Sequence, residues 1–249
     1  MVAASDSCRV VGQQTVVFLD PGHGANVTPK AAASGASRGI VSGESSNGQE
    51  DKDVFAVAKK VKKELKKAGY KVVMSRTSNP DRGKAALWQK GNAAQVANAG
   101  RPADIGISIH TDAASSVGAG QVYYNKLGGY RQNNTNSIRR TFTAKGTAAT
   151  SKQYAKVFKK VRSRFQKAPV TITAGHFFPK SRNLGSHGDI PIVMLAAPGV
   201  PWVYNEFGRS RPGGLTAAEI DQYARSLVRS TKSAIGPTAG TGRVVRECP

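Results

Sequence analysis

The chain has 249 residues, 39% hydrophobic and 21% charged, ordinary figures for one globular domain with a sizeable core. No apolar run approaches the roughly 20 residues that span a bilayer, and the opening MVAASDSCRV lacks the apolar stretch of an export signal. The 37 Lys and Arg against 15 Asp and Glu give a net charge of +22, which points to an anionic partner.

A nucleic-acid binder concentrates its basic residues beside stacking aromatics. Here aromatics are 7% and the cations recur along most of the chain, so the charge reads as diffuse and suits adhesion to a polyanion such as a bacterial wall. There are two cysteines, Cys8 and Cys248, one near each end. Domain termini often lie close together, so a disulfide between them is geometrically reasonable and would mark an oxidising compartment. A loop of that length contributes up to about 5 kcal/mol in the chain-entropy model. The other reading is two unrelated thiols in the tails.

In chain order, TVVFLD predicts a short buried strand. VFAVAKKVKKELKKAG follows, with Val54, Val57, Ala58, Val61 and Leu65 at helical spacings, and reads as a helix ending at Gly69. YKVVMSR is a second strand and KAALWQKGNAAQVANAG an Ala-rich helical stretch. In DIGISIH, Ile105, Ile107 and Ile109 share one strand face and His110 closes it. GQVYYN is another strand, SKQYAKVFKKVRSRF a helix with Ser151 as its expected cap, and VPWVYNEFG a final buried strand. TAAEIDQYARSLVRS is a helix opened by the capping box Thr216 to Glu219. Segments 25–49, 126–150 and 167–200 resist assignment and are long for simple connections. The alternation predicts a single α/β domain whose largely parallel, twisted sheet is flanked by helices.

Ligands of such sheets collect beyond the carboxyl ends of the strands. His23 follows TVVFLD, His110 ends DIGISIH and Glu206 ends PWVYNE, while Glu50 opens the first helix. Singly, each has a bland reading: a hydrogen-bonded histidine, a carboxylate serving the helix dipole, an ion-pair partner. Together, two imidazoles and a carboxylate can make a three-ligand open zinc site, with a second carboxylate beside it as base.

DPGHG after the first strand, the glutamate opening the first helix, SIHTDA after a strand, and an apolar strand ending in E-x-G occur in that order. In these motifs the chain resembles the zinc-dependent N-acetylmuramoyl-L-alanine amidases of the third amidase type, which cleave bacterial peptidoglycan, over roughly residues 15 to 232. It departs from the family pattern at Ala25 and in RSRPGG after Gly208. The resemblance implies a phosphorylase/hydrolase-like α/β fold, Zn2+ as cofactor held by His23, Glu50 and His110, and Glu206 as the catalytic carboxylate. Asp51 fits the same slot as Glu50; Glu50 is preferred because it places Ala58 and Val61 in the family's apolar register.

The implied reaction is hydrolysis of the amide joining N-acetylmuramic acid to the L-alanine of the stem peptide. Arg209 and Arg211 follow the catalytic glutamate and are placed to meet a stem-peptide carboxylate bidentately. Asp112, beside His110, is a further candidate substrate contact and the alternative base. His176 and His187 lie in the irregular 167–200 segment. The expected partners are peptidoglycan or muropeptides and anionic wall polymers, with no specific nucleic acid, no transmembrane segment and a monomeric state. The expected location is secreted or cell-envelope; the opening MVAASDS fits a start methionine placed on a mature sequence, and a cytosolic protein would start the same way. A catalytically silent cationic wall-binding relative is the alternative, and a nucleic-acid binder a third class.

Overall fold

A strand with no polar side must be covered on both faces, and Val16, Val17, Phe18 and Leu19 form such a run. The computed structural model describes residues 9–23, 26–27, 39–40, 50–79, 87–112, 117–131, 139–174, 193, 196–208, 213–236 and 243–247. Its elements are β1 (Arg9–Gln13), β2 (Val16–Pro21), β3 (Asn26–Val27), β4 (Gly39–Ile40), α1 (Glu50–Lys67), β5 (Lys71–Met74), α2 (Leu87–Gln95) and β6 (Ile105–Thr111). After these come β7 (Gly120–Tyr124), β8 (Gly128–Arg131), β9 (Arg139–Phe142), α3 (Lys145–Gln166), β10 (Val170–Ala174), β11 (Trp202–Phe207), α4 (Ala217–Ile235) and β12 (Arg243–Glu247).

Six strands form the central sheet in the order β10-β7-β11-β6-β2-β5. β5, β2, β6 and β11 run parallel, β7 runs antiparallel to β11, and β10 is parallel to β7. The sheet is therefore mixed and mostly parallel, as the alternation predicts. Strand periodicity divides the core. Val17, Leu19, Ile105, Ile107, Ile109, Val203 and Phe207 face α1, α3 and α4. Val16, Phe18, Trp202 and Tyr204 face the other side, with Ala94 of α2 and Val193, Ala197 and Val200. Trp202 is fully buried opposite Gly106, where a Cβ would lie 2.5 Å from the indole, so only glycine admits the ring.

Two expectations are corrected. α3 begins at Lys145, and Ser151 is not its cap. Its hydroxyl is buried mid-helix, donates to the Trp202 carbonyl and accepts the Asn125 N–H at 2.8 Å, because tertiary partners in β11 and the β7 exit claim it. The segments 126–150 and 167–200 are not wholly irregular: the first holds the antiparallel pair β8–β9 and the start of α3, the second holds β10. The capping box at Thr216 is present, with Thr216 N–H donating to Glu219 Oε2 at 2.7 Å and Glu219 N–H to Thr216 Oγ1 at 3.3 Å. No described helix is long and apolar enough to cross a membrane.

Candidate metal centre

Parallel register brings three strand ends to one edge. Pro21 pairs with Ile109, Glu206 with His110 and Phe207 with Thr111, and the Gly22 N–H extends the ladder to the Ile109 carbonyl at 2.9 Å. Registered partners on parallel strands project from the same face, so Glu206 and His110 share a side of the sheet. The His110 ring stacks on Tyr204, two residues before Glu206, with centroids 4.3 Å apart and planes 17° from parallel.

Past Pro21 the chain turns sharply, and His23 adopts a φ of 56°, a left-handed conformation that few non-glycine residues take and that recurs at functional sites. Gly22 is required for packing: a Cβ there would sit 2.1 Å from His110 Cε1 and 2.2 Å from Nε2. The His23 and His110 rings consequently meet edge to face at 4.9 Å.

Glu50 opens α1 and reaches over the same edge. Its Oε2 is 3.2 Å from His23 Nε2 and its Oε1 3.2 Å from His110 Nδ1, while the Thr111 N–H donates to Oε1 at 2.9 Å. Burial alone would raise the Glu50 carboxyl, but the charges and hydrogen bonds of the two histidines outweigh it and hold the group well below the usual carboxylate range. Of the two adjacent carboxylates, Glu50 is the one that spans both imidazoles. Asp51 is tied in through its main-chain carbonyl instead, which accepts from Arg76.

One donor atom from each of His23, Glu50 and His110 lies within 4.8 Å of the others, and all three residues are buried. His110 Nε2 is buried with no hydrogen-bond partner among the described residues. An imidazole nitrogen left so, beside a second imidazole and a carboxylate, fits a borderline-soft divalent cation, and two histidines with one carboxylate are a zinc donor set.

Several buried side chains that the sequence reading did not single out hold this edge. Arg76 follows β5 and donates from Nε to the Pro21 carbonyl at 3.2 Å and from Nη2 to the carbonyls of Gly22 and Asp51 at 3.0 and 2.9 Å. One guanidinium thus ties the turn bearing His23 to the helix turn bearing Glu50. Beneath the turn, Asp20 accepts from Ser75 and Ser108 at 2.7 and 3.0 Å and lies 3.2 Å from Lys90 Nζ, with both charges fully buried. Burial opposes ionisation of Asp20, yet Lys90 and the serines prevail and lower its carboxyl.

On the helical side, Arg162 of α3 donates to the Glu206 carbonyl at 2.7 Å and to Asn205 Oδ1 at 3.1 Å. The Tyr223 hydroxyl of α4 is shared between the carbonyls of His110 and Asn205, at 3.1 and 3.0 Å. Burial pushes that hydroxyl far up, so it remains a donor and staples β6 to β11 behind the two residues that face the centre. Asn205, on the face opposite Glu206, serves the backbone as its position suggests, donating to the carbonyls of Ser108 and Val203. Arg162 was legible in principle: it continues the buried helical stripe Ala148, Ser151, Ala155, Phe158.

Asp112 closes β6 half-buried, its N–H donating to the Phe207 carbonyl at 3.2 Å. Arg209, Arg211, His176, His187, Cys8 and Cys248 lie outside the described residues.

The sequence model of the family described as N-acetylmuramoyl-L-alanine amidase (Amidase_3) matches residues 17–208. No match was found among curated proteins. Among solved structures the chain is similar to the apo N-acetylmuramyl-L-alanine amidase Ami1 of Mycobacterium abscessus, with a TM-score of 0.57 and 18% identity over 89% of this chain and 99% of that one. It is similar also to Ami1 of Mycobacterium smegmatis, with a TM-score of 0.55 and 21% identity over 88% and 96%. The catalytic domain of CwlV from Bacillus (Paenibacillus) polymyxa gives 0.53 and 19% over 88% and 97%. At these identities the structural likeness speaks for the fold, and the family match over most of the chain speaks for the rest: this chain belongs to the N-acetylmuramoyl-L-alanine amidase family.

Proposed function

We propose that the chain hydrolyses the amide between the lactyl group of N-acetylmuramic acid and the L-alanine of the peptidoglycan stem peptide, with zinc held by His23, Glu50 and His110 and with Glu206 as the catalytic carboxylate. The observation that carries this reading is the buried donor cluster at the carboxyl edge, on the face and at the strand level of Glu206. Zinc supplies a Lewis acid that polarises the scissile carbonyl and makes water nucleophilic at neutral pH. Glu206, partly exposed while its backbone is fixed by Arg162, can take the proton of the attacking water and return it to the leaving nitrogen. Gly22 lets the turn that carries His23 pack directly on the His110 ring. Arg209, Arg211 and Asp112 are proposed substrate contacts.

Elemental analysis of gently purified protein is expected to find about one zinc per chain, and digestion of peptidoglycan to release stem peptides with a free L-alanine amino terminus. Metal-free protein whose activity zinc does not raise would overturn the metal assignment. Cleavage that frees reducing sugar ends instead would overturn the bond.

A place of action in the cell envelope goes with the two cysteines. β1 and β12 pair antiparallel with Arg9 opposite Glu247, so the ladder stops one residue short of Cys8 on one strand and of Cys248 on the other. That register supports a Cys8–Cys248 disulfide closing the terminal ribbon, and β1 leads into the start of β2, the opposite end of that strand from His23. Reduction is therefore expected to lower the melting temperature while zinc content and room-temperature activity persist. Two thiols alkylated without reductant in the unfolded protein, seen by intact mass, would refute the bond.

A further inference from the structure

The described cations gather on the helical layer. α1 turns Lys59, Lys60, Lys63, Lys66 and Lys67 to solvent, and α3 turns out Lys152, Lys156, Lys159, Lys160 and Arg164. α4, which packs between them, adds Arg225, Arg229 and Lys232. The acidic residues of α1's first turn, Glu50, Asp51 and Asp53, are buried at the metal edge. Of the carboxylates on the three helices, only Glu64 and Asp221 are substantially exposed, and each is already spent on a lysine: Lys67–Glu64 at 3.1 Å and Lys60–Asp221 at 2.7 Å. A single-sign surface of this kind repels itself and lowers stability unless a counter-charge covers it.

The layer also has relief. Between Lys60, Lys63 and Glu64 on α1 and Asp221, Ala224 and Arg225 on α4 runs an open groove of about 410 Å³. Because α1 and α4 both start at the metal edge, where the Leu215 N–H also binds Asp53 at 2.8 Å, the groove extends along the face and leaves the centre itself uncovered.

We infer that the outer face of α1, α4 and α3 is a docking surface for a linear phosphodiester polymer of the bacterial wall, held along the α1–α4 groove while the metal edge works on peptidoglycan. The choice of partner rests on the amidase reading above and on the aromatics of this face. Proteins that hold single-stranded nucleic acid offer bare ring faces on which bases stack. Phe165 instead lies under Arg229 and Arg225, at 4.7 and 5.9 Å, and Tyr124 lies under Lys152 at 5.8 Å. Phe55 is covered likewise by Arg76 at 4.8 Å and Lys59 at 5.2 Å. Each of these three described rings carries a cation on its face, which suits a polyol phosphate chain that has charge and no bases.

The test measures binding of the full chain to synthetic poly(glycerol phosphate) as salt is varied. The triple variant Lys60→Gln, Lys63→Gln, Arg225→Gln, which removes the three cations that line the groove, should bind at least roughly tenfold more weakly at physiological salt, with a shallower dependence of log K on log salt. Lys71→Gln, Arg101→Gln, Lys126→Gln removes as many exposed charges outside the three helices and should stay within about twofold of the parent. Equal weakening by both variants would show that the charge acts diffusely and would overturn the surface. Tighter binding of charge-matched duplex DNA than of the polymer would overturn the partner. Cleavage of a small soluble muropeptide, run in parallel, should be the same for all three proteins; its absence from all of them alongside intact polymer binding would sink the amidase reading and not the surface.

Discussion

Glu206→Gln is expected to lower kcat by a factor on the order of 10² or more while the protein keeps its zinc. The amide is nearly isosteric with the carboxylate but cannot take up a proton, so the substitution removes base chemistry and little else. Glu206 is not one of the three residues whose donor atoms cluster, and its position is fixed through its main-chain carbonyl by Arg162, a bond that the variant retains. KM should change little, because the loss falls on proton transfer in the transition state. Turnover within a few-fold of the parent would move the base assignment to Asp112, the neighbouring carboxylate at the end of β6.

What made the centre legible was punctuation. An apolar run that breaks at Pro21 and Gly22 marks a strand end, and His110 and Glu206 likewise close apolar strands, so their convergence follows from parallel pairing alone. The place of Glu50 at the helix start was legible because the buried positions Val54, Val57, Ala58, Val61 and Leu65 fix the helix register back to its first turn, while its choice over Asp51 as ligand came from the family resemblance and is a proposal. The direction of β7 was not, since GQVYY reads the same in either sense and only its neighbours make it antiparallel to β11. Ser151 looked like a cap because a small hydroxyl preceded a helical pattern; its partners, Trp202 and Asn125, are far away in sequence. Arg76 was hidden by composition, and Arg162 showed only in the spacing of its helix's buried stripe. In a chain with 37 Lys and Arg an arginine looks solvated by default, and both of these are buried. The same composition made the charge look diffuse, because linear sequence does not show that α1, α3 and α4 share one face. Strands β1 and β12 pair the two ends of the chain, a contact for which no local pattern exists.

His110→Ala is expected to abolish activity and leave less than roughly a tenth of the parent's zinc, because a catalytic site with three protein ligands loses one of the three. The residue sits mid-sheet, 1% exposed, with its ring against Tyr204 and its Nε2 without a hydrogen-bond partner among the described residues. No neighbouring side chain of the described set is placed to substitute for it. The paired test at the helix start separates a ligand from a bystander. Glu50→Ala removes the carboxylate that contacts both imidazoles and should release zinc to a similar degree. Asp51→Ala keeps the main-chain carbonyl that Arg76 grips, and should retain most of the metal. Melting curves with and without chelator provide the control for folding: the parent should lose thermal stability on metal removal, since zinc binds only the native state, whereas His110→Ala should melt somewhat below the apo parent, because its buried ring is lost, and should not respond to zinc or chelator. If Asp51→Ala empties the site and Glu50→Ala does not, the helix-opening ligand is Asp51. Zinc retained in full by His110→Ala would place the ion away from this cluster altogether.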